Sequence, residues 1–98
     1  MVSNLDTFVQ KSSAAISDMI LDRDSIQTCH ISLPDMSKPV GAIAYNEQFY
    51  SYVKFYPTVE AAQRPSERML KRGNTIVLTR IPKGLVLWVL EPDAQLAR

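Results

Sequence analysis

Cys29 and His30 are the one cysteine and the one histidine of this chain, and they stand side by side. A zinc site or a thiol nucleophile would have to draw on that pair. Zinc takes about four ligands at set spacings, and no second Cys or His exists to complete the set. A thiol nucleophile needs a base and a group to orient it. Residues adjacent on a strand point to opposite faces, so the two side chains do not meet. Gly41, Gly73 and Gly84 stand singly, which leaves no glycine-rich loop to cradle a phosphate. Asp22, Asp24 and Asp35 lack the spacing and the glycine of a calcium loop. The sequence therefore offers no catalytic residue, no metal-ligand set and no cofactor motif. A small enzyme with a site of another kind is the third-ranked reading.

Recognition chemistry is better represented. On a strand, Tyr50, Tyr52, Lys54 and Tyr56 alternate with Phe49, Ser51, Val53 and Phe55, so the two sets face opposite ways. The second set reads as a core face. The first is a row of three rings and a cation, suited to a protein surface or to stacked bases with the lysine beside a phosphate. Packing on a neighbouring element with the hydroxyls wet is the structural alternative. Arg64, Arg68 and Arg72 recur every four residues, one stripe of a helix, with Lys71 beside them. That stripe could meet an acidic protein or a phosphate backbone. It could equally be a solvated face whose last-turn cations favour the helix dipole.

The charge distribution agrees with a basic second half. The first 48 residues hold three Lys or Arg against six Asp or Glu, and the remainder holds eight against four. Such a split can steer an acidic partner, or the two halves can neutralise each other within the fold. With 98 residues, 46% hydrophobic and 21% charged, the chain supports a single globular domain over 1–98. No apolar run is long enough to span a bilayer. Asp6 and the absence of a basic stretch before an apolar core argue against a signal peptide. A lone cysteine fits a reducing compartment, and a cytoplasmic location is expected.

The elements that must position these residues follow from periodicity. Leu5, Phe8, Val9, Ile16, Met19 and Ile20 predict an amphipathic helix from Leu5 to Leu21, within an N-terminal helical region 1–24. A short strand is expected over Thr28–Leu33, a second over Val40–Tyr45, and a hairpin from there into the aromatic strand. Thr58 is a natural N-cap for a helix over 58–72, closed by Gly73. Pro65 lies inside that helix and either kinks or splits it. Two apolar strands, Thr75–Ile81 and Leu85–Leu90, flank the turn Pro82-Lys83-Gly84. The second is apolar on both faces and reads as central. Residues 93–98 are expected to fray.

The signatures Tyr52-Val53-Lys54-Phe55-Tyr56-Pro57, Arg68-Met69-Leu70-Lys71-Arg72-Gly73 and Ile76-Val77-Leu78 resemble the small rod-capping linker module of cyanobacterial phycobilisomes. The resemblance covers residues 49–80. This chain departs from it in its long N-terminal helix, in Pro65 and in the added strand Leu85–Leu90. The resemblance implies a docking protein without catalytic activity in a photosynthetic assembly, with Tyr52, Lys54, Arg68 and Arg72 as contacts.

The expected fold is thus α+β, with a mainly antiparallel sheet of four to five strands over 28–92 and two helices packed chiefly on one face. Phe49, Val53, Phe55, Met69, Leu70, Ile76, Leu78 and Leu87 are the expected core, and Leu5, Phe8, Ile16, Met19 and Ile20 bury the first helix. The leading function is a non-catalytic protein-binding module, an adaptor, linker or accessory subunit, using Tyr50, Tyr52, Lys54, Tyr56, Arg64, Arg68, Lys71 and Arg72. The alternative is a single-stranded nucleic-acid binder using the same groups. Self-association stays open beside both.

Overall fold

The computed structural model describes residue 16 and residues 18–97. Seven strands and one α-helix follow in chain order: β1 (Ile20–Leu21), a 3-10 turn (Arg23–Ser25), β2 (Gln27–Ser32), β3 (Val40–Tyr45), β4 (Gln48–Tyr56), α1 (Val59–Lys71), β5 (Ile76–Ile81), β6 (Gly84–Leu90) and β7 (Gln95–Leu96). The strands form one sheet in the order β1-β5-β6-β4-β3-β2-β7. All pairings are antiparallel except β1 with β5. This corrects the expected fold: the sheet is mixed and seven-stranded rather than mainly antiparallel with four to five strands, and among the described residues one complete helix packs on it. The two strands that periodicity missed, β1 and β7, are two residues long, too short for alternation to show.

The predicted N-terminal helix lies outside the described residues for most of its length. At its end the prediction is corrected, because Ile20–Leu21 pairs with Leu78–Thr79 as a strand. The tail is corrected as well. Leu96 lies opposite Ile31, and the Ala97 N–H donates to the His30 carbonyl at 2.9 Å.

Local chemistry fixes the connections. The β3–β4 hairpin turns on Asn46 and Glu47, both at positive φ (54° and 65°), the geometry that two-residue hairpins favour. Thr58 caps α1 by accepting from the Ala61 N–H at 3.0 Å. At the other end, the Gly73 N–H bonds the Leu70 carbonyl and the Asn74 N–H bonds the Met69 carbonyl, with Gly73 at φ 90°. This is a Schellman closure. Pro65 does not split the helix, which runs unbroken from Val59 to Lys71. Gly84 is required for space: a Cβ there would lie 2.3 Å from the Tyr56 carbonyl oxygen.

The sheet buries both faces. On the helix face, Ile76, Leu78, Leu85 and Leu87 pack with Ala62 of α1 and with Ile16. On the opposite face, Ile43, Tyr50 and Val77 cluster with Leu21, Ile26, Tyr45, Trp88 and Leu90. That second face is concave. Laid flat, β1 and β2 would stand five strand spacings apart, about 24 Å. Six residue steps lead from Leu21 to Gln27 and reach at most about 22 Å. The sheet must curl to bring the two strands within reach, and the crossing segment tucks Ile26 against the concave cluster.

Candidate protein-docking site

β4 decides where the candidate residues go. It pairs with β6 at Tyr52↔Trp88, then at Lys54↔Leu87, and the register shifts between them. Val53 is the extra residue of a β-bulge. Side chains directly opposite each other share a face. Tyr50 and Tyr52, opposite Leu90 and Trp88, therefore lie on the concave face, whereas Lys54 and Tyr56, opposite Leu87 and Leu85, lie on the helix face. The predicted row of three tyrosines and a lysine is divided between the two sides of the sheet.

The two groups have different surroundings. Tyr50 is 3% exposed and stands at 6.4 Å, centroid to centroid, from the Tyr45 ring. Burial, with Tyr45 nearby, pushes its phenol above the ordinary value of 10.0. Tyr50 is thus a core residue. Tyr52 is 54% exposed and meets Trp88 edge to face at 6.0 Å. Trp88 is pinned in turn by its indole N–H, which donates to the Thr79 hydroxyl at 2.9 Å. Val53, expected in the core, is exposed at the bulge, and Phe49 and Phe55 are half-buried.

On the helix face the second half of the row meets the basic helix. The Lys54 ammonium lies over the Tyr56 ring at 5.8 Å, a cation–π contact. Tyr56, Arg68 and Arg72 line one shallow hollow with Val53, Pro65, Met69 and Leu87. Its volume is about 280 Å³. Arg68 and Arg72 are exposed and sit one turn apart, at Cβ separations of about 5–6 Å. Among the described residues, no carboxylate comes within ion-pair reach of Lys54, Arg68 or Arg72; Glu67 is instead held by the Gln63 side-chain amide at 3.3 Å. Arg64 and Lys71 are exposed on α1 but outside the hollow.

The structure thus brings together Lys54, Tyr56, Arg68 and Arg72, and sets Tyr50 and Tyr52 apart from them. Sequence reasoning missed the apolar walls, Val53, Pro65, Met69 and Leu87, and missed Trp88 as the support of Tyr52. An apolar Pro65 within a polar helix stretch was the one available signal.

Elsewhere the chemistry is quiet. Burial raises the Cys29 thiol above its ordinary 9.0, which keeps it protonated and poorly nucleophilic. Its neighbour His30 is exposed. Among the described residues, no three His, Cys, Asp or Glu side chains group closely enough to hold a metal ion. None of their helices is long and apolar enough to cross a membrane. A wider cleft of about 870 Å³ lies between Leu21–Asp24 and the β5–β6 turn. Its charged rim mixes Asp22 and Asp24 with Arg23, Arg80 and Lys83, so it favours neither sign. Comparison with protein-family models, with curated proteins and with solved structures gives no significant match for this chain.

Proposed function

We propose that this chain is a non-catalytic protein-binding module, an adaptor or accessory subunit that docks an acidic protein surface through Lys54, Tyr56, Arg68 and Arg72. One observation carries the reading: Arg68, Arg72 and Tyr56 line one hollow, Lys54 lies over the Tyr56 ring, and no intramolecular carboxylate among the described residues pairs with these cations. Cations left unpaired beside apolar walls are complementary to carboxylates presented with an apolar side chain. Under the resemblance to the rod-capping linker module, the assembly would be a photosynthetic one.

A single-stranded nucleic-acid site needs rings and cations on one surface. The bulge leaves a single ring, Tyr56, beside the cations and puts Tyr50 and Tyr52 on the other face, so successive bases have no row of rings to stack on.

The test is capture of partners by the tagged full chain in its native cells, with mass spectrometry, beside the double variant Arg68→Glu/Arg72→Glu. Both arginines are exposed, so the variant should keep its circular dichroism spectrum and its melting temperature. The expected result is loss of the captured partners. An unchanged partner set with an intact fold would overturn the assignment of this surface.

A further inference from the structure

β3 leaves β4 halfway. The last pair between them is Ala42↔Ser51, while β6 follows β4 as far as Tyr56. Beyond Tyr52, Val53–Tyr56 therefore presents one backbone edge with no residue pair on the β3 side. Outside the strand ladders, no backbone hydrogen bond among the described residues reaches it either. Tyr52, Val53 and Lys54 are all exposed along it.

We propose that this free edge of β4 accepts an extended segment of a partner protein as an added strand, with carboxylates on one face and apolar side chains on the other. The inference rests on the docking reading above and names its mode. A strand added to a sheet gains main-chain hydrogen bonds, and its alternate side chains fall on the two faces. On the helix face they would arrive beside Lys54, Arg68 and Arg72, where carboxylates complete the charge. On the concave face they would arrive beside Tyr52 and its supporting Trp88, where apolar groups cover ring surface.

The partner is not a second copy of this chain. Pairing the edge with itself would set Lys54 and the arginine stripes of both copies close together, and like charges across a ladder are destabilising. A bulge and a lysine are also devices that guard edges against unwanted pairing, so a test must separate a receptive edge from a guarded one.

The probe is a synthetic peptide of about eight residues alternating Glu and Val, a typical strand length. It is compared with the same peptide N-methylated on alternate residues, with a Lys/Val counterpart, and with oligodeoxythymidine. Amide exchange of the full-length protein is followed by NMR. The Glu/Val peptide should bind and slow exchange within Tyr52–Tyr56 about tenfold or more, and N-methylation should weaken binding about tenfold or more. The Lys/Val peptide should not bind. Equal binding of both Glu/Val peptides, without protection of these amides, would overturn strand addition and leave side-chain docking on the hollow in place. No binding of the Glu/Val peptide would also overturn it and show that the bulge and Lys54 seal the edge. The docking reading would then stand or fall on the arginine double variant alone. Protection by oligodeoxythymidine in place of the peptide would overturn it in favour of a nucleic-acid ligand.

Discussion

The two halves of β4 have similar sequences and opposite fates. Gln48–Ser51 pairs with β3, and from Tyr50 onward with β6 as well, and Tyr50 is 3% exposed. Tyr52–Tyr56 lies beside β6 alone, and its Tyr52 is 54% exposed. Residue type does not separate them, since both halves are rich in rings. Pairing does: a strand with two neighbours on a curled sheet is covered, and one with a single neighbour is not. Val53 makes the change by inserting one residue, which also moves the later side chains to the other face.

The sharpest test of this contrast is a pair of truncations. Tyr50→Ala should lower unfolding stability by about 3–5 kcal/mol, as for other buried aromatics, measured by urea denaturation. Tyr52→Ala should cost about 1 kcal/mol or less, because its ring is largely in water. Equal costs would break the comparison. Next in size is Gly84→Ala, which drives a Cβ against the Tyr56 carbonyl where the later half ends. It should cost about 3 kcal/mol through backbone displacement, seen as a fall in melting temperature.

The alkaline limb separates the halves by titration. A phenol whose folded pKa is raised stays protonated in the native state while the unfolded state releases its proton. Tyr50 therefore contributes stability that is fully present below about pH 10, its ordinary value, and is lost as pH rises through the higher folded value. Tyr50→Phe should flatten that decline in a pH series of melting temperatures. The smallest effect concerns the hairpin that feeds the covered half. Glu47→Gly removes the cost of a side chain at positive φ and should raise stability by about 1 kcal/mol.

Much of the sheet was legible because its long strands announce themselves. β3 and the β5–β6 hairpin match their apolar runs and turn residues, and β6, apolar on both faces, is central in the sheet. Thr58 and Gly73 bound the helix as their chemistry requires. Three features were hidden. β1 and β7 depend on partners distant in sequence and carry no period of their own. The bulge left no trace, because rings and apolar residues stand on both sides of Val53 and a one-residue slip changes little in the pattern. The curl was invisible too, and with it the burial of Tyr50, since strand alternation says which residues share a face and not how strongly that face is bent. Of the candidate residues, Lys54, Tyr56, Arg68 and Arg72 come together on the helix face, an adjacency of strand and helix that periodicity alone does not give, whereas grouping Tyr50 and Tyr52 with Lys54 and Tyr56 followed from counting straight through the bulge.

β1 is held to the sheet by two residue pairs, Ile20↔Leu78 and Leu21↔Thr79, and by the bond from the Leu78 N–H to the Met19 carbonyl. Its partners stand 58 residues further along the chain, so the contact is entropically expensive to form and only two residue pairs hold it once made. Detachment of this one ribbon would leave the rest of the sheet in place and uncover the outer rim of β5, an opening far cheaper than global unfolding. The domain thus has a seam, and proteolysis or exchange at β5 should detect it before the long strands β3, β4 and β6 loosen.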